Sequence, residues 1–350
     1  MNSHKQHGAA LITVMIMVTV VIAVLASMFH EHGVDVAKST KILHSERAAL
    51  LALSGESLAI DMLKRDEREQ AGVDTLDDIW ALQLPAIPLE EANLLVTLSD
   101  LQSKWNINNL QRYKPATINA IRAASTGNSD LSILERLGAT QDTLIDQSHI
   151  AAIIDWLDSD DIPLPSGGEE NEYLLEEPAY RPSNTLLTGL DELSLILALS
   201  PELRATISPF ITALPEPTPI NVNTASKEVL QSLHADINEA IAENLIETRT
   251  ETPWQTMGEF SDALDIELNP INPGDVLSQI NTQPASANIP GFTPVSINSR
   301  YFMLNIAVQL GTNMVELESL IRRNNATDVV VLARTLRYVA NTLANTEADE

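Results

Sequence analysis

The most hydrophobic part of the chain lies at its start. Residues 9–28 read AALITVMIMVTVVIAVLASM, twenty residues without charge, Gly or Pro. A helix of about 20 apolar residues, rising 1.5 Å per residue, matches the roughly 30 Å core of a bilayer. Apolar residues then recur at helical spacing, at Leu43, Leu50, Leu53, Leu58 and Met62. The pattern predicts one long helix that first spans a membrane and then lies, as an amphipathic helix, against a globular domain.

The apolar run has three possible origins. A cleavable secretory signal has a shorter apolar core followed by a small-residue site, which Ala26-Ser27-Met28 matches poorly. A plain signal anchor explains the length of the run. A prepilin-type leader is cut before the run, and Gly8-Ala9-Ala10-Leu11-Ile12 has the small residue and apolar continuation of such a site. Because Lys5 precedes the run and acids follow it, the N-terminus is predicted to be cytoplasmic and the bulk of the chain external.

Alternating and β-branched patterns mark strands in two separate regions. Residues 93–99 and 104–108 form the first region, and residues 295–311, 314–322 and 329–337 form the second. Between them lies a long helical stretch, with helices expected at residues 115–124, 130–137, 148–157, 189–198, 227–235, 238–248 and 257–263. We therefore predict an α+β fold in which the long N-terminal helix covers an antiparallel sheet and a large all-α domain is inserted. The expected segments are a leader (1–8), a transmembrane and stalk helix (9–64), the first part of the α/β region (65–111), the inserted helical domain (112–285), the second part of the sheet (286–340) and an acidic tail (341–350).

A weak internal repeat occurs inside this helical stretch. Residues 107–110 (INNL) and 220–225 (INVNTA) each open a helical unit, and their Asn side chains are expected to cap backbone groups at a helix entry. Residues 220–265 have the outline of a helix-hairpin-helix. In DNA-binding versions of that motif the hairpin carries glycines, whereas this hairpin is Ala235-Asp236-Ile237 and Glu239 follows. Because carboxylates repel phosphate, the motif predicts helix packing and no nucleic-acid binding.

Composition narrows the function further. The 350 residues contain 48 acidic and 21 basic side chains, for a net charge of -27, and no cysteine. The charge argues against a nucleic-acid surface, and the missing cysteines exclude disulfides, thiolate metal sites and cysteine nucleophiles. Short signatures of serine hydrolases, zinc proteases and nucleotide-binding loops are missing from the sequence. A hydrolase that uses paired carboxylates stays possible, although no pair stands out.

Acidic residues are densest between Asp155 and Arg181, where the sequence reads DWLDSDDIPLPSGGEENEYLLEEPAYR. Acids packed this closely repel one another unless a cation neutralises them. Carboxylate oxygens without nearby His or Cys suit Ca²⁺, which takes 6–8 oxygen ligands, although the spacing is not that of an EF-hand. The loop is therefore either a calcium site or a solvated acidic loop.

These features together resemble the minor pseudopilin K family of type II secretion, also called general secretion pathway protein K. The resemblance rests on HGAALITVMIMVTVV at the N-terminus, the DWLDSDD…GGEENEY…PAYRPSN stretch, INVNTA and the late strands. It implies a pilin-like fold and a non-enzymatic subunit at the pseudopilus tip that initiates or caps the fibre. Its implied partners are the minor pseudopilins I and J and the major pseudopilin, and its implied place is the bacterial inner membrane, with the bulk in the periplasm.

The resemblance also implies roles for particular residues. A prepilin peptidase would cleave between Gly8 and Ala9 and methylate the new amine. Most pilins carry Glu five residues after the cut, where this chain has Thr13, and that change is expected of a subunit with no neighbour above it. Calcium is implied in the acidic loop, with ligands expected from Asp158, Asp160, Asp161, Glu170, Glu172 and Asn184. Two rivals stay open: a membrane-tethered DNA receptor and a calcium-dependent periplasmic hydrolase.

Overall fold

The computed structural model of the protein describes residues 6–82, 85–88, 92–112, 130–268, 276–281 and 293–340. Most of the expected leader (residues 1–5), the helix expected at 115–124 and the tail at 341–350 lie outside the described residues. The first element, α1, is a single helix from Gln6 to Glu69. Among the described residues it is the one helix long and apolar enough to cross a membrane. It continues beyond the apolar stretch without a break, as the sequence predicts.

The face of α1 that packs on the sheet consists mainly of small residues, with Leu63 buried near its C-terminal end. Ala48, Ala52 and Ala59 are fully buried there. At Gly55 an added Cβ would lie 3.0 Å from Cδ1 of Ile306, so the helix and the sheet are in close contact. The prediction that the leucines form the buried face is wrong: Leu43, Leu50, Leu53 and Leu58 remain 36–64% exposed. Small side chains let the helix approach the strands closely, and these four leucines lie on the outward side of the helix.

The sheet has five antiparallel strands in the order β1-β2-β7-β8-β9. Their bounds are Ile87–Pro88 (β1), Ala92–Asp100 (β2), Tyr301–Leu310 (β7), Asn313–Asn325 (β8) and Asp328–Ala340 (β9). Strand β2 pairs along its whole length with β7, although about 200 residues separate them, with Val96 opposite Ile306. The two predicted strand regions therefore form one sheet, because the chain returns after the insertion.

The region between β2 and β7 is mainly helical. Its helices are Asp130–Thr140 (α2), Gln147–Leu157 (α3), Glu170–Tyr173 (α4), Pro201–Ile207 (α5), Lys227–Leu233 (α6), Glu239–Glu251 (α7), Met257–Leu268 (α8) and Val276–Asn281 (α9). Two short parallel pairs join its ends, Trp105–Asn106 (β3) with Ile211–Thr212 (β4), and Ile220–Asn221 (β5) with Val295–Ser296 (β6). The expected helix at 189–198 is only a short 3₁₀ segment, Leu190–Leu195, because Ile196 takes an extended conformation.

Two separate hydrophobic cores follow from this arrangement. One lies between α1 and the sheet and includes Trp80 and Phe302. The other fills the inserted region around Trp105, Trp156 and Phe260. The pilin-like α+β fold with an inserted helical region is therefore confirmed.

A buried polar junction links the two cores. The Arg323 side chain, only 1% exposed, pairs with Asp66 at 2.8 Å and also with Asp74. Ser299 donates to the carboxylates of Asp74 (from its backbone N–H, 2.8 Å) and Asp100 (from its hydroxyl, 2.6 Å). The end of α1, the sheet and the inserted region are thereby tied together.

Candidate metal centre

The acidic loop begins where α3 ends. Asp146 caps the start of this helix by accepting hydrogen bonds from Ser148 N (2.9 Å) and His149 N (3.3 Å). Asp158 is the residue at its C-terminal end, where the partial charge of the helix is negative. Acidic side chains at that end are unfavourable by themselves and favour a nearby cation.

Asp155, in the last turn of α3, shapes the loop that follows. Its carboxylate accepts a hydrogen bond from Leu164 N at 3.1 Å, and it is completely buried. A Cβ added at Gly167 would lie 1.9 Å from Oδ2 of Asp155, so only glycine fits there. Asp155 therefore holds the loop against the helix and is itself surrounded by backbone.

Three carboxylates converge beside this turn. Oxygens of Asp158, Asp160 and Glu169 all lie within 4.8 Å of one another. Asp158 and Glu169 are 9% and 2% exposed, and within the described part of the chain the four oxygens of these two carboxylates are buried without a well-formed hydrogen bond. Buried acceptors without partners are costly, so this arrangement calls for a positively charged occupant.

The pKa values of these carboxyl groups also indicate that the cluster needs a positive charge. Burial, followed by the charges of neighbouring acids, raises the pKa of Glu169 to about 8. Burial likewise raises the pKa of Asp155 to about 7 and that of Asp158 to about 6. Without a cation the cluster reduces its repulsion by retaining protons near neutral pH.

The other predicted ligands lie around this cluster in different roles. The Asn184 side chain donates to Asp160 O and to the Asp161 carboxylate, both at 3.3 Å, while its own carbonyl oxygen has no donor. The Glu170 carboxylate instead pairs with Arg181 at 2.9 Å. The Glu172 carboxylate accepts from Glu169 N at 2.9 Å at the start of α4. The structure thus brings Asp158, Asp160, Asp161 and Asn184 together and gives Glu170 and Glu172 other partners.

Glu169 was missed by the sequence reasoning. It directly precedes the one-turn helix α4, so its side chain points back toward the end of α3 while those of Glu170 and Glu172 turn elsewhere. A signal was present: Gly167 and Gly168 allow the chain to turn just before it. The identity of the acid that completes the turn depends on backbone geometry that the residue spacing does not specify.

Aromatic contacts connect the loop to α3 and to the segment that follows it. Trp156 and Tyr173 are in edge contact with ring centroids 5.4 Å apart, and Tyr173 contacts Tyr180 in the same way at 5.3 Å. The Tyr180 hydroxyl donates to Leu195 O at 2.7 Å. The acids before and after the loop are therefore held at a fixed separation.

The donor set fits calcium. Two oxygens on opposite sides of a Ca²⁺ ion, each bound at about 2.4 Å, are at most about 4.8 Å apart, and the three carboxylates lie within that distance of one another. The asparagine carbonyl adds a neutral oxygen of the kind that calcium accepts, and waters complete such shells.

Asn108 and Asn223 of the internal repeat bond to distant backbone and do not cap helices as predicted, whereas Asn221 accepts a local hydrogen bond from Asn223 N at 3.0 Å. Asn108 exchanges two hydrogen bonds with the backbone of Leu187, and Asn223 does the same with Trp254. Helix α6 is capped by Ser226 instead. Both amide interactions are buried and fasten loops of the inserted region, because an amide side chain can donate to and accept from the backbone of another segment.

The helix-hairpin-helix region offers no basic surface at its hairpin. Lys227 of α6 pairs with Glu239 (2.5 Å) and Glu243 (3.1 Å), and the side chain of Asp236 is 79% exposed in the hairpin. This geometry agrees with the prediction of helix packing without nucleic acid, which remains a prediction.

The residues expected for processing lie on α1. Gly8 and Ala9 fall within its first turns, and Thr13 lies on its exposed surface four residues after Ala9. The backbone is helical across the expected cleavage site.

Comparison with known proteins gives a consistent assignment. Two family models described as Type II secretion system (T2SS), protein K match residues 103–216 and 220–278. The type II secretion system protein K of Pseudomonas aeruginosa PAO1 is 31% identical over 99% of this chain and 97% of its own length. That of Klebsiella pneumoniae is 24% identical over 95% and 97%.

A solved structure supports the fold. A chain in the crystal structure of the GspK-GspI-GspJ complex from the type 2 secretion system of enterotoxigenic Escherichia coli superposes with a TM-score of 0.62 at 20% identity. The match covers 86% of this chain and 99% of that one. With the near full-length Pseudomonas relative and both family models, these findings show that the chain belongs to the type II secretion system protein K family.

Proposed function

We propose that this chain works at the tip of the type II secretion pseudopilus, together with minor pseudopilins I and J, and there initiates or caps the fibre. Its family membership makes it a minor pseudopilin, a structural and non-enzymatic component of secretion, so the hydrolase alternative is discarded. The observation that carries the proposal is the inserted region, which occupies roughly residues 101–300 between two adjacent strands. A body of this size on a pilin-like subunit would collide with the next subunit of a helical fibre.

The exposed side of α1 supports contact with partner helices. Leu43, Leu50, Leu53 and Leu58 are exposed on a helix whose other face is already buried against the sheet. Apolar side chains at helical spacing on a free face are typical of a helix–helix interface. The relative in the solved complex is bound to GspI and GspJ, so we expect the equivalent subunits to contact this face.

Processing at the N-terminus fits the same assignment. We expect a prepilin peptidase to cleave between Gly8 and Ala9, which leaves the apolar stretch of α1 as the single membrane anchor. Thr13 places no carboxylate in the membrane, whereas an unpaired buried Glu would be costly there. The charge pattern favours a cytoplasmic N-terminus and a periplasmic body.

The acidic cluster serves this function as a calcium site. Asp158, Asp160 and Glu169 would bind the ion, with the carbonyl of Asn184 and the carboxylate of Asp161 next to them. Bound calcium supplies the positive charge that the cluster lacks. The protein side of the site is already organised, since Asp155 and the aromatic contacts hold the loop to α3.

The tip position is tested on assembled pseudopili. Full-length chain with an epitope in the inserted region should co-purify with subunits I and J, and gold-labelled antibody should mark one end of each fibre. Label distributed along the fibres would rule out a tip position. A Leu50→Asp variant should lose the partners while keeping its fold, because Leu50 is 64% exposed. The control is Leu144→Asp, the same change at a leucine of the inserted region that is 80% exposed.

A further inference from the structure

A cleft lies where the inserted region meets the outer face of the sheet. Its volume is about 260 Å³. Its floor consists of Met303, Leu320 and Ala333, which lie on three adjacent strands and alternate with residues that face α1. Its opposite wall is formed by Leu101 and by residues near 188–190 and 211–213 of the inserted region. The acidic cluster is not part of this cleft.

One basic side chain in the cleft has no counter-charge. Lys104 is half-buried there, and none of the described residues forms an ion pair or hydrogen bond with its ammonium group. Burial lowers the pKa of Lys104. The acid that also lines the cleft, Glu318, is paired with Arg337 at 3.0 Å. An isolated ammonium is unusual in a chain with 48 acids and 21 bases.

The position of this lysine is determined by its neighbours. Ser103 donates from its hydroxyl to Asp100 O at 2.7 Å, and Trp105 is fully buried. The Asn106 side chain donates to Glu216 O (2.8 Å) and accepts from Leu214 N (3.1 Å). With its backbone held on both sides, Lys104 cannot move its main chain toward any acid of the described residues, so its ammonium group is available to a carboxylate bound in the cleft.

We propose that this cleft binds an extended polypeptide segment of a partner protein, with an Asp or Glu side chain bound at Lys104 and apolar side chains on Met303 and Leu320. The floor crosses three strands, which at about 4.8 Å per strand is roughly 10 Å and suits a linear ligand. A carboxylate in contact with a partly desolvated ammonium forms a charge-assisted hydrogen bond. The rest of the surface, at a net charge of -27, repels acidic segments, so Lys104 selects where one can bind.

The test uses the full-length chain in detergent micelles. The probe is a library of end-capped hexapeptides with Glu at one central position and apolar residues around it; the matched library has Gln instead. The acetylation rate of each lysine is followed by mass spectrometry. The Glu library should slow acetylation of Lys104 by at least about threefold relative to the Gln library, while exposed Lys38 reacts equally with both.

Two variants test separately what the Lys104 ammonium group and the space in the cleft contribute to peptide binding. Binding of a fluorescent Glu peptide from the library should weaken about tenfold, or about 1.4 kcal/mol, in Lys104→Met. Ala333→Trp fills the cleft from an exposed position and should have the same effect without unfolding the sheet. Lys38→Met is the matched control. Equal protection by the Glu and Gln libraries would overturn the proposal, and so would equal protection by butyrate at the same concentration, which would mark a site for small carboxylates.

Discussion

Replacing Glu169 by Gln tests the electrostatics of the acidic cluster. Gln keeps nearly the same shape but has no charge. The carboxyl of Glu169 is 2% exposed and makes no well-formed hydrogen bond with a donor of the described residues, and burial raises its pKa from 4.5 to about 8. At pH 7 a carboxyl that must stay protonated against a pKa of 4.5 costs about 3.4 kcal/mol, at about 1.36 kcal/mol per pH unit. This is a ceiling, because neighbouring acids share the repulsion.

The expected result depends on calcium. With a chelator present, Glu169→Gln should raise the free energy of unfolding by about 1–3 kcal/mol, since it removes that cost. With saturating Ca²⁺ the wild-type protein should gain about 2.7 kcal/mol at a concentration one hundred times the Kd. The variant should gain much less, because it lacks one charged ligand. The difference in unfolding free energy, which favours the variant when a chelator is present, should therefore shrink or change sign when calcium is added.

The dependence on pH gives a second check. The pKa of Glu169 is about 8 in the folded protein and 4.5 in the unfolded chain, so folding favours the protonated carboxyl over the carboxylate. This contribution is complete below about pH 4.5 and is lost as the pH rises toward 8. Without calcium, wild-type stability should therefore fall across that window relative to Glu169→Gln. Stabilisation by calcium should grow across the same window, because calcium competes with protons.

The assay is urea unfolding of the full-length chain in detergent, followed by tryptophan fluorescence, with chelator or with calcium. The control is Glu170→Gln, because Glu170 pairs with Arg181 at a side-chain exposure of 40% and should contribute less than about 1 kcal/mol in both conditions. If Glu169→Gln lowered stability equally with and without calcium, the account of an unpaired buried carboxylate would be wrong.

Three further substitutions test how the fold is held. Gly167→Ala should destabilise by about 1–3 kcal/mol and weaken the response to calcium, since its Cβ would meet Asp155 at 1.9 Å; an unchanged urea midpoint would contradict the close approach. Arg323→Met should cost about 3–5 kcal/mol, because it leaves Asp66 and Asp74 buried without their counter-ion, and a loss below 1 kcal/mol would mean that these acids are readily hydrated. Ala52→Leu should cost about 1–3 kcal/mol through overpacking against the sheet, whereas the same change at exposed Ser54 should be nearly neutral.

The order of apolar and polar residues was sufficient to predict an element wherever the hydrophobic effect on neighbouring residues decides its structure. The apolar run predicts α1, which continues to Glu69, and alternation predicts strands that lie within a few residues of β2, β7, β8 and β9. Most helices of the inserted region are also marked by their periodicity and turn residues. The expected helix at 189–198 failed because extended backbone at Ile196 ends it after a short 3₁₀ turn.

In the acidic loop, the order of residues predicts that acids gather but does not specify which of them meet. Its residues indicate that acids gather between Asp155 and Arg181, and four of the six expected ligands do lie together. Glu169 replaces Glu170 and Glu172 at the cluster, because a one-turn helix sends successive side chains in different directions. The calcium ligands themselves remain a prediction.

Composition and periodicity alone establish a membrane-anchored α+β chain with an acidic loop, because apolar length, alternation and charge act over a few neighbouring residues. Contacts between distant segments decide the rest. The alanines of α1 face the sheet because small side chains allow closer packing, although the leucines are more apolar. Lys104 has no counter-charge among the described residues, because its cleft is assembled from residues that lie more than 200 positions apart in the chain. Such contacts depend on how the chain returns to its sheet after the insertion, and no local pattern of residues encodes that return.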